Sequence, residues 1–250
     1  MSSDPWLQLR RYTPARIGLG RVGGSLPTHA LLDFELAHAR ARDAVHAELD
    51  VADLKTQLCA GGFSEPLIVA SQAKDRMEYL LRPDLGRSLN EPSRDLLLAA
   101  RRAGGCRLAV VIADGLSAVA PARHAMPLLC ALRDEGDWDA QRVAVVIAQS
   151  ARVALGDQIG EILHADAVLV LIGERPGLSS PDSLGVYLTW APQVGRKDAE
   201  RNCISNIRPE GLPCDEAARR LRYLLREAQR LRLSGVALKD DSEARDTLLP

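Results

Sequence analysis

Three continuous apolar runs constrain the fold of this chain more than any other feature. They span residues 108–113, 143–148 and 168–172, and each one ends in a polar turn. Apolarity that continues without alternation is typical of strands covered on both faces, as in the parallel sheet of an α/β domain. Such sheets bind ligands at the carboxyl ends of their strands. The runs therefore predict a ligand-binding sheet organised around the last of them, which ends in the turn GERPG at 173–177.

Predicted helices and strands alternate around these runs, as they do in βαβ units. We expect helices over 92–103, 118–133, 156–163 and 215–233, and strands over 107–113, 142–148, 167–172, within 179–192 and over 201–207. This order predicts an α/β domain over residues 89–238, with a mostly parallel, Rossmann-like sheet flanked by helices. We expect residues 1–88 to form a smaller, mainly helical region with an N-terminal arm that docks a partner. Residues 239–250 are predicted to be a disordered tail.

The N-terminal region begins its regular structure at Thr28, a possible helix cap. Apolar residues then recur at helical spacing from Leu31 to Leu49, which predicts one amphipathic helix. His38 lies on this apolar stripe, and we interpret it as a packed or interface residue. No other His, Cys or carboxylate recurs with the spacing of a metal site, so we expect none. A second short helix is expected over 51–58, and a hairpin is possible over 66–82.

Four glycines between Gly18 and Gly24 formally match the dinucleotide fingerprint GxGxxG. A functional fingerprint follows a strand and opens directly into a helix. Here TPAR precedes the glycines and Ser-Leu-Pro follows them. We therefore favour a glycine-rich arm that lies against another surface. Its four arginines serve either solubility or docking to an acidic partner.

Composition and charge limit the function classes. The chain has 250 residues, 46% of them hydrophobic, which is enough for one full core, and a formal net charge of -1. That balance gives no reason to expect nucleic acid or an anionic membrane as a partner. No apolar run approaches the roughly 20 residues of a membrane span, and the start lacks the apolar core of a signal peptide. Five scattered cysteines without a CxxC pair indicate reduced thiols, and we expect a cytoplasmic protein.

Most familiar catalytic motifs do not occur in the sequence. There is no phosphate loop GxxxxGK[ST], no HExxH and no complete GxSxG, which counts against kinase and hydrolase functions. Asp114 and Glu174 both follow predicted strands and would reach one edge of the sheet. They are candidates for an acid and base pair, although acids in such turns also cap helices.

Six motifs together resemble the small subunit of ethanolamine ammonia-lyase. They occur in the family's order between about residues 6 and 235: TPARIGLGR (13–21), RPDLGRSL (82–89), DGLSA (114–118), GDQIGEIL (156–163), GERPGLSSPDSLG (173–185) and RNCISNIRPEG (201–211). The resemblance implies a lyase that depends on adenosylcobalamin and has two kinds of subunit. The large subunit, a separate barrel protein, is expected to hold ethanolamine and the catalytic groups, so no catalytic residue is expected on this chain. The small subunit is expected to hold the cobalamin at the subunit interface, in a hetero-oligomer of several heterodimers.

The resemblance also implies three cofactor contacts, at Val153, Glu174 and Cys203. Val153 would pack against the corrin ring, Glu174 would accept a hydrogen bond from a corrin amide, and Cys203 would be a small neutral contact. Each residue also has an ordinary interpretation: Val153 as core, Glu174 as a solvated loop acid and Cys203 as a buried small hydrophobe.

The implied reaction is a radical rearrangement of ethanolamine to acetaldehyde and ammonia, begun by cleavage of the cobalt–carbon bond. The pattern DxHxxG, by which some cobalamin proteins give a histidine to cobalt, does not occur here. We therefore expect the cofactor's own base to stay on the metal. Relatives with a long N-terminal extension are associated with a bacterial microcompartment. This sequence begins almost at the first shared motif, which puts encapsulation in doubt.

Two other functions stay open at this point. A stand-alone nicotinamide-dependent oxidoreductase needs the glycine cluster to follow a strand. A non-catalytic interaction protein accounts for the amphipathic helix and the arm, but gives no reason for polar turns to gather at one edge of the sheet.

Overall fold

The fold is a six-stranded sheet with helices on both faces. A computed structural model of the chain describes residues 5–134 and 139–242. The strands are β1 (Leu67–Ala70), β2 (Cys106–Ala113), β3 (Val143–Gln149), β4 (Ala165–Gly173), β5 (Leu184–Trp190) and β6 (Asn202–Ile207). The helices are α1 (Thr28–His46), α2 (Val51–Ala60), α3 (Arg76–Leu81), α4 (Glu91–Ala100), α5 (Val119–Asp134), α6 (Leu155–Ile162) and α7 (Cys214–Leu231).

The sheet is mixed and has the strand order β1-β3-β2-β4-β5-β6. β1 to β4 pair with one another in parallel, whereas β5 is antiparallel to both β4 and β6. The carboxyl ends of β2, β3 and β4 consequently share one edge with the start of β5 and the end of β6. This result confirms the predicted α/β class and adds an antiparallel pair of strands to the parallel part of the sheet.

Each face of the sheet carries its own apolar core. On the first face, α2, α5 and α7 pack over residues of β2 to β6 such as Val110, Leu169 and Ile204. On the second face, α4 and α6 pack over β1 to β4, with Leu97 and Ile159 fully buried. Burial on both faces explains why β2, β3 and β4 are continuously apolar in sequence.

The predicted hairpin over 66–82 is wrong. The chain instead forms β1, which pairs in parallel with β3, and then the short helix α3. The side chain of Asp75 caps α3 by accepting a hydrogen bond from the backbone N–H of Glu78. β1 thus joins the same sheet as the strands beyond residue 88. The division into 1–88 and 89–238 stays a prediction.

Helix α1 begins at Thr28, so Pro27 occupies the cap position in place of the predicted Thr28, and the helix has no side-chain cap. Its buried residues are Ala30 and Ala44, whereas Leu31 and Phe34 of the apolar stripe are exposed. His38 is also exposed, and its ring lies 6.3 Å from that of Phe34. His38 is therefore not a buried core residue, although its ring stacks on that of Phe34.

The glycine cluster lies in an irregular arm. Within residues 5–134, the regular structure before it is one short 3-10 helix, Pro5–Arg11, rather than a strand. Gly18 has a φ of +58° and packs directly on Trp6, where a Cβ would lie 2.7 Å from the Trp6 Cβ. The arm is thus a packed turn, and its context does not fit a dinucleotide fingerprint.

Across the described residues, no helix combines the length and apolarity that crossing a membrane requires. Of the predicted tail, residues 243–250 lie outside the described part of the chain. Ser242, which precedes them, is buried, and its carbonyl oxygen accepts a hydrogen bond from Arg219.

Candidate functional site

Polar groups from five strands meet at one edge of the sheet. Asp114, Ser150 and Glu174 directly follow β2, β3 and β4. Because β5 and β6 run antiparallel there, they bring Ser183 and Asn206 to the same edge. The predicted gathering of polar turns at this edge is confirmed.

Asp114 is a buried structural acid. Its carboxylate accepts hydrogen bonds from the backbone N–H groups of Gly115, Ser150 and Ala151 at 2.8–3.0 Å. Arg76 lies 3.6 Å away. Burial raises the pKa of Asp114, while the three N–H groups and Arg76 oppose that rise. Asp114 thereby ties the turn after β2 to the turn after β3.

Glu174 is half-buried and folds back over β5. Its Oε2 accepts hydrogen bonds from the Ser183 hydroxyl at 2.5 Å and from the backbone N–H of Asn206 at 3.2 Å. Its Oε1 accepts one from the Ser205 hydroxyl at 2.5 Å. Gly185 leaves the room for this, since a Cβ there would lie 2.9 Å from Oε1. Glu174 is therefore a fixed acceptor and more than a solvated loop acid.

The hypothesis of an acid and base pair gains no support from these contacts. Asp114 and Glu174 share a sheet edge as predicted, but each is bonded to its own set of donors. Among the hydrogen bonds of the described residues, none joins the two carboxylates.

Cys203 lies on β6 opposite Tyr187 of β5. It is exposed, which excludes its interpretation as a buried small hydrophobe. Its neighbour Ile204 packs in the core of the first face, so Cys203 points to the second face. Although the residue is exposed, its thiol is partly desolvated, which raises the pKa of Cys203; a hydrogen bond with Tyr187 opposes this rise, and the charge of Glu174 adds to it. The thiol is thus neutral near neutral pH.

Val153 lies in the short loop between β3 and α6. It is half-buried and packs against the core of the second face. Its carbonyl oxygen accepts a hydrogen bond from the N–H of Gly156, which packs directly on Val170 of β4. Val170 is in register with Tyr187 of β5, and Tyr187 is in register with Cys203. The start of α6 therefore lies at the level of Cys203 along the sheet.

Glu174 is bonded to Ser205, which is two residues after Cys203 on β6, whereas Val153 packs on the same face over the parallel strands. In the part of the chain that the structure describes, the helices that pack most extensively on β5 and β6 are α5 and α7, both on the first face. The second face of these strands carries Tyr187, Cys203 and Ser205, of which the last two are exposed. We call this surface the open face of β5 and β6.

Sequence reasoning missed three side chains of this site, Tyr187, Ser183 and Ser205. Tyr187 interrupts the apolar residues of β5, and that interruption was the one available signal. No sequence signal pointed to the serines, because Ser205 is 31 residues from the Glu174 that it contacts. Among the described residues, no group of three or more His, Cys, Asp or Glu side chains is placed to hold a metal ion.

Comparisons with known proteins identify the family. The family described as "Ethanolamine ammonia-lyase light chain (EutC)" matches residues 3–239. The ethanolamine ammonia-lyase small subunit of Pseudomonas syringae pv. tomato is 55% identical over 244 residues, which cover 96% of this chain and 85% of the relative. The small subunit of Pseudomonas putida strain F1 is 57% identical over 243 residues, which cover 96% and 89%. That of Pseudomonas fluorescens strain SBW25 is 52% identical over 246 residues, which cover 97% and 88%. The chain therefore belongs to the ethanolamine ammonia-lyase small-subunit (light-chain) family.

Proposed function

We propose that this chain is the small subunit of an adenosylcobalamin-dependent ethanolamine ammonia-lyase and holds the cofactor at the interface with the large subunit. Its Rossmann-like half, β1 to β4 with helices on both faces, supports the antiparallel strands that carry the site. The observation that favours this proposal most is the open face of β5 and β6 next to the fixed carboxylate of Glu174. Membership of the ethanolamine ammonia-lyase small-subunit family supports cobalamin as the ligand.

The side chains present fit cobalamin. A corrin ring offers a broad apolar face with a rim of amide side chains, so its host needs packing groups beside fixed polar atoms. The open face offers the ring of Tyr187, the neutral thiol of Cys203 and the hydroxyl of Ser205. Because Gly185 has no side chain, nothing projects from β5 at that position, and the Glu174 side chain has room to lie there.

Three residues are proposed as cofactor contacts. Val153 packs against the corrin ring, because it is a half-buried apolar side chain in the loop before α6. Glu174 accepts a hydrogen bond from a corrin amide, since its carboxylate is already oriented by three donors. Cys203 is a small neutral contact whose raised pKa keeps it uncharged.

The chemistry of these side chains suits cofactor binding by this chain and catalysis by groups of the large subunit. Adenosylcobalamin supplies the radical chemistry by which ethanolamine is converted to acetaldehyde and ammonia. On this chain, Asp114 is occupied by backbone donors and Glu174 by serines and a backbone N–H, so neither is placed to move a proton. The chain binds and orients the cofactor and shields it from water. We place the catalytic groups on the large subunit.

The N-terminal region is proposed as the docking surface for the large subunit. Helix α1 exposes Leu31, Leu32, Phe34 and Leu36, which form an apolar surface of a kind that marks protein interfaces. The Arg16 guanidinium links this surface to the site, because it lies 5.9 Å from the Phe34 ring centroid and 3.5 Å from the carbonyl oxygen of residue 178, in the turn after Glu174. A partner that covers α1 therefore also reaches the edge of the sheet. Assembly of several heterodimers is part of this proposal.

Reconstitution tests the proposed function. Acetaldehyde formation from ethanolamine and adenosylcobalamin is measured with this chain alone, with the cognate large subunit alone and with both together. We expect activity only in the mixture, and retention of the cofactor on ultrafiltration only by the two-subunit complex. A folded complex that neither retains cobalamin nor forms acetaldehyde would contradict the proposal.

A further inference from the structure

A buried ion pair connects the segments that carry Val153 and Cys203. Arg201 immediately precedes β6, and Asp157 lies in the first turn of α6. The two terminal nitrogens of the Arg201 guanidinium donate to the two carboxylate oxygens of Asp157 at 2.5 and 2.7 Å. Both side chains are 2% exposed. The pair thus joins α6 to the edge strand across the second face of the sheet.

The same guanidinium binds two further elements. Nη1 also donates to the Thr189 hydroxyl on β5 at 3.1 Å, and Nη2 donates to the carbonyl oxygen of Arg196 at 2.9 Å. Thr189 is 1% exposed. One arginine side chain therefore fixes α6, β5, the start of β6 and the loop between the two strands.

The ion pair lies close to the proposed cofactor contacts along both segments. Arg201 is two residues before Cys203, so the two side chains lie on the same face of the sheet. Asp157 is four residues after Val153, about one helical turn. The ion pair therefore links the segment that carries Val153 to the segment that carries Cys203.

We propose that Asp157 and Arg201 form a positioning pair that sets the spacing between Val153 and Cys203 and thereby the fit of the cobalamin. This inference rests on the proposed function. According to this inference, neither Asp157 nor Arg201 contacts the cofactor. Their role is to hold the two sides of the open face in one fixed arrangement.

The chemistry of the pair suits positioning better than stability alone. Burying two charges carries a desolvation cost that well-packed apolar side chains avoid, and replacing such pairs by apolar residues is often neutral or stabilising. A bidentate arginine–carboxylate contact, in contrast, fixes both distance and orientation through two parallel hydrogen bonds. That property is useful where two segments must present groups to one rigid ligand.

The test uses the Asp157→Asn variant in the reconstituted two-subunit complex. Asparagine keeps the shape but removes the charge, and one guanidinium N–H then loses its acceptor. We expect the dissociation constant of adenosylcobalamin, measured by ultrafiltration and visible absorbance, to rise about 10-fold to 100-fold, as when groups that orient a ligand-binding residue are removed. The KM for the cofactor should rise in parallel. The kcat at saturating cofactor should stay near its wild-type value, because the pair does not touch the reacting atoms.

Glu227→Gln is the matched control. Glu227 is a buried carboxylate on α7, on the first face, and accepts hydrogen bonds from Arg230 at 2.6 and 3.0 Å. We expect it to lower the melting temperature of the complex without changing the dissociation constant of the cofactor. If Glu227→Gln weakens cofactor binding as much as Asp157→Asn does, the effect reflects general stability and the proposal is wrong.

A milder variant keeps the test informative if Asp157→Asn prevents assembly. Thr189→Val removes one neutral hydrogen bond to Arg201 and is expected to weaken cofactor binding about 3-fold to 10-fold. Unchanged binding by this variant, or by an assembled Asp157→Asn complex, overturns the positioning role. If those variants bind normally while Glu174→Gln does not, the proposed function stands and only the positioning pair falls. If the wild-type complex itself binds no cobalamin, both proposals fall.

Discussion

The parallel half of the sheet, β1 to β4, and the antiparallel half, β5 and β6, differ in how far their strands are buried. In the parallel half, β4 is buried at all but one of its nine positions. In the antiparallel half, β6 buries only two of its six positions, Ile204 and Ile207. Both halves have helices on the first face, and only the parallel half has them packed extensively on the second. The first half forms most of the buried core, and the second leaves side chains such as Cys203 exposed.

The largest expected effect is on the free energy of unfolding, which should fall much more for a variant in the parallel half than for one in the antiparallel half. Leu169→Ala removes a fully buried side chain from the middle of β4 and should lower the free energy of unfolding by about 2–5 kcal/mol, since it leaves a cavity between the sheet and α5. Cys203→Ala on exposed β6 should cost less than about 0.5 kcal/mol. Urea denaturation of the isolated chain measures both values. Equal losses of stability would show that β6 is buried in the isolated chain by a contact other than the one with the large subunit.

A smaller expected effect concerns the space that Gly185 leaves open. In Gly185→Ala, the new methyl group would lie 2.9 Å from Oε1 of Glu174, so the carboxylate has to move and its bond from Ser205 is lost. Because the end of a glutamate is flexible, we expect a loss of only about 1 kcal/mol in stability. If Glu174 is a cofactor contact, cobalamin affinity in the two-subunit complex should fall about tenfold.

Gly24→Ala is the control for this prediction, because a Cβ there meets no atom within 4 Å. It should change neither stability nor cofactor affinity. Normal cofactor binding by Gly185→Ala, with the same loss of stability, would mean that the position of Glu174 does not matter for cobalamin.

Three strands of the parallel half were predictable from the sequence, whereas β1 was not and the antiparallel half was predictable only in part. Continuous apolar runs identified β2, β3 and β4 to within one or two residues, because burial on both faces leaves no polar position in the pattern. The same reasoning missed α3, although Asp75 and Glu78 have the spacing of a helix cap. Neither strand order nor pairing direction can be read from local pattern, so the open face was not foreseen.

The site was predictable in the same uneven way. Glu174 was identified because it directly follows a buried strand and matches a family motif. Its donors come from Ser183, Ser205 and Asn206, and the last two lie 31 and 32 residues further along the chain. Contacts of that kind depend on the register of β5 and β6. The Arg201–Asp157 pair, 44 residues apart, could not be read from the sequence for the same reason.

The smallest expected effect concerns α7, the helix that covers the first face of β5 and β6. Glu216 in its first turn accepts hydrogen bonds from Arg219 and Arg220, which lower its pKa to about 2. Because the pKa is lower in the folded state than in the unfolded state, this interaction stabilises the fold fully above about pH 4.5. The contribution is lost as the pH falls from there toward 2. Glu216→Gln should therefore cost about 0.5–1 kcal/mol at pH 7 and nothing at the lowest pH at which the chain stays folded.

Glu210→Gln, which alters a more exposed carboxylate 3.4 Å from Arg208, is the control for the α7 variant. Urea denaturation at several pH values compares the two with the wild type. If Glu216→Gln is as costly at low pH as at pH 7, its effect comes from helix propensity rather than from charge. In that case the Glu216 carboxylate gives α7 no charge-dependent stability.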